Sequence, residues 1–417
     1  MRFIHAADIH LDSPLKGLSA YPDAPAQRLR NATREAFTNL VTVAVDENVD
    51  FMVIAGDLYD GDWKDHNTGL FFVQEMGRLR RAGIPVYLLY GNHDAQSELT
   101  KRLQMPDNVH VFGANKPGTF RIDALRVALH GQSFKHAAIM DNLATGYPDP
   151  VRGYFNIGVL HTALQGNAAH DTYAPCSLDE LHACGYDYWA LGHVHEYSVW
   201  RGASTVVFPG NIQGRHVRET GARGAVLVGL DEGGGLSLER RYVDVLRWHL
   251  ATVDVSSCLD YPQVAAAVQD ALESLLQDQG RDRPMAVRVV LAGETPAHGA
   301  LFGLEAQLRA DVLAAIAVLG NDRYWLEKVV LDTRAPAMPR VDTADGALTD
   351  VHRMLASASR DPLFLDSLKS DLMGLVGKTP RELHASVPHM ESIRHGELRG
   401  LVDEVQDMLA AYLDEAD

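Results

Sequence analysis

Five short segments of this 417-residue chain place metal-ligand residue types directly after an apolar, strand-like run: Asp8-Ile9-His10, Gly56-Asp57, Gly91-Asn92-His93-Asp94, His161 and Gly192-His193-Val194-His195. Neutral imidazole combined with carboxylate oxygen suits manganese, iron or zinc, whereas an all-oxygen set would suit magnesium or calcium. Seven ligands, Asp8, His10, Asp57, Asn92, His161, His193 and His195, are too many for one such ion and fit two that share a carboxylate. The expected division has Asp57 bridging, with Asp8, His10 and His195 completing one site and Asn92, His161 and His193 the other. Two ions roughly 3.5–4 Å apart clamp a phosphate and turn a bound water into a competent hydroxide nucleophile, so hydrolysis of a phosphate ester is the expected reaction. His93 stands beside Asn92 but cannot easily point the same way. It is expected to stabilise charge on the phosphoryl oxygens and protonate the departing oxygen, with Asp94 fixing its tautomer and orientation.

Such residues converge only if the strands before them end along one edge. The first half of the chain alternates strand-like runs with amphipathic stretches, the pattern of βα units. Strand Phe3–Ala7 precedes a helix with Ala36, Phe37, Leu40, Val41 and Ala44 on one face. Strand Val49–Ala55 precedes a helix carrying Phe72, Val73, Met76 and Leu79, and Pro85–Tyr90 is a third strand. Short β-rich runs follow at 126–130, 155–160, 188–191, 205–208 and 225–230. In an open α/β sheet, strand carboxyl ends share one edge, which brings distant residues together. Within Asp8-x-His10 and His193-x-His195, a spacing of two returns both side chains to one side of an extended segment. The glycines before Asp57, Asn92 and His193 fit sharp turns where a missing Cβ lets the backbone approach the ions.

Residues 1–245 read as one α/β domain with two sheets. Residues 246–333 read as a compact α+β unit, 334–345 as a proline-bearing linker, and 346–417 as helical, with Leu401, Val402, Val405, Met408, Leu409 and Tyr412 on one stripe. No run is long enough to span a bilayer, and the strand beginning at Arg2 leaves no room for a signal peptide, so the expected compartment is the cytoplasm. Cys176, Cys184 and Cys258 form no CxxC pair, which disfavours a disulfide framework or zinc knuckle.

The formal charge of −17 runs against a nucleic-acid substrate, since non-specific DNA affinity comes mostly from Lys and Arg. The acidity is uneven, however, with residues 341–417 strongly acidic, and bound cations would offset the ligand carboxylates. Two readings stand for Trp63, a base-stacking aromatic or a packed loop residue. Two also stand for Arg215, Arg218 and Arg223, substrate-phosphate contacts or a solvated turn, and for His216, a substrate contact or a satisfied structural residue. His5, His110, His130, His136 and His170 lack comparable partners in sequence and read as structural.

The ligand segments resemble the pattern of the calcineurin-like metallophosphoesterase superfamily: D-x-H, G-D, G-N-H-[DE], H and G-H-x-H. The words GDLYDGDW at 56–63, GNHDAQS at 91–97, GHVHEY at 192–197 and GNIQGRHVRE at 210–219 look like the SbcD-type DNA repair exonucleases, in particular the YhaO subgroup. The resemblance covers about the first 220 residues. It implies a four-layer αββα core, manganese, nuclease activity on DNA ends and a capping domain after the core. It also implies C-terminal helices that dock on an SMC-like coiled-coil ATPase, and the 401–412 stripe fits partner docking, homodimer docking or packing within the tail. Asp60 departs from the pattern, because some relatives carry a histidine near that position.

Overall fold

The computed structural model describes residues 1–15, 26–60, 66–96, 104–164, 173–279, 283–320, 323–336, 354, 357–376, 390–402 and 405. Trp63 and His170 lie outside them, as do most of the linker and half of the stripe, Met408, Leu409 and Tyr412.

In the first sheet, β1 (Arg2–Ala6), β2 (Phe51–Ala55), β3 (Val86–Leu89) and β4 (Val109–Val111) run parallel. Antiparallel strands β11 (Gly224–Leu230) and β12 (Leu236–Tyr242) extend it beyond β1, giving the order β12-β11-β1-β2-β3-β4. The second sheet has the order β5-β6-β7-β8-β10-β9, from strands Gly118–Ile122, Val127–Gly131, Phe155–His161, Tyr188–Gly192, Thr205–Phe208 and Ser198–Arg201. Its four inner strands are parallel.

The strand period of two sorts the side chains into layers. Phe3, Phe51, Val53, Ala55 and Leu89 pack against Val127, Leu129, Ile157, Val159, Tyr188 and Ala190 of the other sheet. Phe3 and Phe51 stack there with ring centroids 4.7 Å apart. Their neighbours Ile4, Ala6, Met52 and Ile54 face the opposite way, onto α1 (Ala26–Asp46) and α2 (His66–Arg81) through Phe37, Leu40, Phe72 and Met76. On the outer side of the second sheet, Leu160, Trp189, Leu191 and Val206 pack with Leu181 of α4 (Leu178–Ala183). Each fully buried large side chain contributes roughly 1.5–3 kcal/mol, so three apolar layers hold an αββα sandwich.

The strand ends carry the site. Beyond β1 and β2 the two chains keep pairing, Asp8 N–H donating to Gly56 O at 3.0 Å and His10 N–H to Asp57 O at 3.0 Å. A short helix, α3 (Asn92–Gln96), begins three residues after β3, and Thr162 N–H donates to Gly192 O at 3.1 Å beyond β7 and β8.

The described residues divide into two units. One is Met1–Leu250 with Asp282–Val287 and Asp322–Glu327; the other comes from 251–281, 288–321 and 328–417. A three-stranded sheet has the order β13 (Arg247–Asp254), β14 (Met285–Glu294), β15 (Tyr324–Arg334). Helices α5 (Tyr261–Gln279), α6 (His298–Gly303) and α7 (Glu305–Gly320) connect its strands. Strand β13 begins at Arg247, and Trp248 within it is buried in an apolar cluster with Leu246 and Ala286. In the tail, α8 (Pro362–Val376) and α9 (Met390–His395) share an apolar cluster of Val376, Met390, Ile393 and Leu398, against which Leu401 packs. Among the described residues, no helix is long and apolar enough to cross a membrane.

Candidate metal centre

Four of the seven predicted ligands have a non-glycine backbone with positive φ: Asp8 at 52°, His10 at 45°, Asp57 at 52° and His193 at 103°. Such conformations cost on the order of 1–3 kcal/mol each and persist where surrounding bonds over-determine them. The backbone bonds to Gly56 O and Asp57 O do that for Asp8 and His10. Glycine answers a different need at position 91: a Cβ there would lie 2.3 Å from Asp57 Oδ1 and 2.8 Å from Asp57 N.

Ligand-type atoms gather in three groups, each with its atoms within 4.8 Å of one another: Asp8, His10 and His195; Asp57, His161 and His193; and His10, Asp60 and His93. The first two coincide with the division expected from sequence. Asn92 joins the second, its Oδ1 lying 2.9 Å from His161 Nε2. Asp57 stands between the groups, with Oδ2 3.4 Å from His161 Nε2 and 3.9 Å from His10 Nε2. Asp8 receives the His193 backbone N–H on both oxygens, at 3.0 and 3.1 Å.

The donor geometry fits a cation. His161 Nδ1 lies 2.9 Å from Ala55 O, which can only accept, so Nδ1 carries the proton and Nε2 of the neutral ring presents a lone pair. That lone pair faces the oxygens of Asn92 and Asp57, an arrangement that a positive charge must complete. Where that charge is a proton rather than an ion, burial opposes it, but the Asp57 carboxylate outweighs burial and lifts the ring to about 9, so a cation at Nε2 would take the proton's place. Burial also works against the Asp57 carboxylate, yet His161 holds it well below the usual carboxylate range. His10 and His195 likewise bring Nε2 atoms within 3.3 Å. His195 Nδ1 is bound to Glu219 Oε1 at 2.7 Å, so its Nε2 is also the lone-pair side. Carboxylate-held histidines of this kind are typical of metal sites.

No residue spacing marks Glu219 as part of the site. It is buried, receives Arg215 N–H at 2.6 Å and Asn211 Nδ2 at 3.0 Å, and holds His195. Burial favours its neutral form, but the His195 bond and the Arg215 charge keep it well below the ordinary Glu range. Its only trace in the sequence was as the last letter of GNIQGRHVRE.

The role expected of Asp94 is corrected. Its carboxylate accepts the backbone N–H groups of Leu58 at 3.0 Å, Tyr59 at 2.9 Å and Gly91 at 2.9 Å, tying together the loops after β2 and β3. Burial pushes this acid up to about 7 against those bonds. The carboxylate at hydrogen-bonding distance from the His93 ring is that of Asp60, whose Oδ1 is 3.2 Å from Nδ1. His93 is half-buried, and its backbone N–H donates to Asp57 Oδ1 at 3.0 Å.

Of the basic residues considered for substrate, Arg215 reaches this neighbourhood, 3.8 Å from Asp60 Oδ1 and 3.6 Å from Glu219 Oε1. His216 Nε2 is 3.6 Å from Glu219 Oε1. Arg218 is exposed. Arg223 is buried and structural, donating to His195 O at 2.6 Å and to Glu196 Oε1 at 2.6 Å. His5 and His130 are buried with hydrogen-bond partners of their own, Tyr188 and Asn156 among them.

Residues 1–197 match the calcineurin-like phosphoesterase family, and residues 248–334 match the middle domain of metallophosphoesterase YhaO. An uncharacterized metallophosphoesterase YhaO of Bacillus subtilis is 38% identical over 301 residues, covering 71% of this chain and 72% of that protein. A DNA double-strand break repair protein Mre11 of Methanopyrus kandleri is 27% identical over 291 residues, covering 61% of this chain and 60% of its own. One of the same name from Sulfurisphaera tokodaii is 23% identical over 242 residues, covering 54% and 60%. The chain thus spans less than two thirds of each Mre11 relative.

Proposed function

The chain belongs to the calcineurin-like metallophosphoesterase family, hydrolases of phosphoester bonds, and on that premise we propose that it is a two-metal nuclease cutting DNA phosphodiesters, as an exonuclease on DNA ends in repair. The observation that carries the two-metal part is the position of Asp57, one carboxylate oxygen of which approaches both His161 and His10. Asp8, His10 and His195 would hold one ion, Asn92, His161 and His193 the other, with Asp57 shared. The nitrogen and oxygen donor set suits manganese, iron or zinc, and the resemblance to SbcD-type exonucleases is what favours manganese among them in this reading. When bound, the ion pair supplies Lewis acidity and lowers the pKa of water.

The remaining chemistry falls to the chain's own groups. His93, beside the shared carboxylate and open to solvent, gives its proton to the departing oxygen as the bond from phosphorus to that oxygen breaks and water oxygen takes its place. Arg215, with His216 beside it, sits where a phosphate oxygen next to the ions would be met. Ala55 O and Glu219 fix the rings of His161 and His195.

DNA as substrate is supported by the repair proteins among the relatives, and no charge argument from this acidic chain supports it. In the same reading residues 246–333 are a capping domain, 334–345 a linker, and 346–417 the docking region for an SMC-like ATPase in the cytoplasm. The test is digestion of 5′- and 3′-end-labelled linear duplex and single-stranded DNA with manganese, alone and with the cognate ATPase, using Asp57→Ala as control. Cleavage lost in the control is expected. Rapid turnover of cyclic nucleotides with all DNA left intact would replace this reading with a small-molecule phosphodiesterase.

A further inference from the structure

Beside the centre, one guanidinium is held by aromatic rings rather than by a carboxylate. Arg240 Cζ lies 4.5 Å from the ring centroid of Tyr197 and 5.0 Å from that of Tyr242, both within cation–π range. The arginines around it are paired: Arg223 with Glu196, Arg241 with Glu47 and Glu239, and Arg247 with Asp244. Among the described residues Arg240 makes no salt bridge, and its side-chain hydrogen bond, from Nη2 to Ala222 O, is long at 3.4 Å.

The strand registers place this stack at the end of the sandwich where the ligands gather. Strand β11 runs antiparallel to β1, so its first residue, Gly224, lies toward the end of β1 that leads into Asp8, and Tyr242 is the partner of Gly224 on β12. Strand β9 runs antiparallel to β10, which is parallel to β8. Tyr197, one residue before β9, therefore stands at the end of β8 that leads into His193, and it is two residues after His195. Hydrogen bonds fix the connection: Val243 N–H donates to Arg223 O at 3.1 Å, and Arg223 Nη1 donates to His195 O at 2.6 Å.

Along β12, Leu236, Leu238, Arg240 and Tyr242 share one face. The two leucines pack against the core between the sheets, and the same face turns cationic at the end nearest the ligands. A half-buried charge without a counter-charge is costly, and an anion would complete it. The ring walls order the guanidinium without neutralising it, which leaves a planar fork of donors suited to two oxygens of a phosphate. Tyr242 is 47% exposed, so one wall of the stack stands in solvent.

We propose that Arg240, walled by Tyr197 and Tyr242, takes a backbone phosphate of the DNA strand next to the scissile linkage. This deepens the nuclease reading and rests on it. The overall charge of −17 gives DNA no general attraction, so affinity must come from local contacts of this kind.

The test is binding of a fluorescein-labelled single-stranded oligonucleotide to the full-length, manganese-loaded chain, read by anisotropy from about 50 to 200 mM salt. His93→Ala is carried throughout to slow cleavage. Arg240→Gln should weaken binding roughly 10-fold, as loss of a charged hydrogen bond does. It should also make log affinity against log salt shallower by about 0.7, the share of one phosphate on a single strand. Arg240→Lys should keep the slope. Arg241→Gln removes the same charge from a paired guanidinium one residue away and should leave affinity and slope unchanged. Methylphosphonate linkages, introduced one at a time, locate the contact: one neutral linkage should weaken the reference chain and have no further effect in Arg240→Gln. Tyr242→Leu keeps the charge and removes a wall, so it should weaken binding a few-fold at an unchanged slope, and it decides the matter if Arg240→Gln does not fold. Equal losses in Arg240→Gln and Arg241→Gln, or a Tyr242→Leu chain that binds as the reference does, overturn the proposal. A reference chain that binds no DNA defeats the nuclease reading as well, whereas DNA bound in full without Arg240 defeats this proposal alone.

Discussion

His10 and His195 face each other across the site with their Nε2 atoms 3.3 Å apart, although 185 residues separate them in sequence. Glu219 holds the far nitrogen of His195, which leaves that ring's lone pair on the His10 side. The centre is therefore built to be completed by a cation, and several measurements follow from that.

Metal removal should destabilise the first unit. A ligand present at about 1,000 times its Kd stabilises the folded state by roughly 4 kcal/mol, on the order of 10 °C for a domain this size. Calorimetry of the chain with manganese and after chelation should show that difference in its first transition. Identical melting in both would count against a buried two-ion site.

Glu219→Gln removes the charge that holds His195 while keeping the side chain's shape. Manganese affinity, followed by titration calorimetry, should fall roughly 10- to 100-fold, as for other outer-shell carboxylates. Unchanged affinity would reduce Glu219 to a loop anchor for Arg215 and Asn211.

Gly91→Ala places a methyl where Asp57 Oδ1 already lies, 2.3 Å from the ideal Cβ. Since backbone rather than a flexible tip sits next nearest, the loop must move, at a cost of roughly 1–3 kcal/mol. Activity should drop at least 100-fold in a chain that still folds, as judged by circular dichroism and turnover. Wild-type turnover would mean that Asp57 does not need its observed position.

His5 gives a pH test away from the ligands. It is buried and neutral, with Nε2–H donating to Leu191 O at 3.1 Å and Nδ1 accepting from Tyr188 Oη at 2.9 Å. Burial lowers it to about 3, against the Leu191 bond, whereas the unfolded ring titrates near 6.5. Between those values the unfolded chain binds the extra proton, so stability is fully present above about pH 6.5 and is lost as pH falls toward 3. The slope approaches about 1.4 kcal/mol per pH unit from this residue alone. Urea unfolding of chelated protein at pH 7, 6 and 5 should show a shallower decline in His5→Gln than in the native chain, and equal declines would contradict the assignment.

The ligands legible in the sequence were those set by strand geometry. Asp8, Asp57, Asn92 and His193 follow parallel strands and His161 ends one, and the apolar runs of those strands are almost wholly buried and easily read. Strands β9 and β12 escaped notice because they are antiparallel and only partly buried, so their sequences, SVWR and LSLERRY, mix polar and apolar residues. Glu219 and Asp60 were missed as partners for another reason. Each sits in a loop beyond a strand end, and its pairing with His195 or His93 depends on loop paths that no residue period encodes. Adjacency favoured Asp94 for His93, and three backbone N–H groups claimed that carboxylate instead.

The central claim is that Asp57 joins two cations held by the seven-residue set. Anomalous diffraction at the manganese edge, from crystals of the full chain soaked in manganese, tests it directly. The account predicts two peaks roughly 3.5–4 Å apart on either side of the Asp57 carboxylate, one against His10 and His195 and one against His161 and His193. A single peak, or peaks that do not touch Asp57, would contradict it.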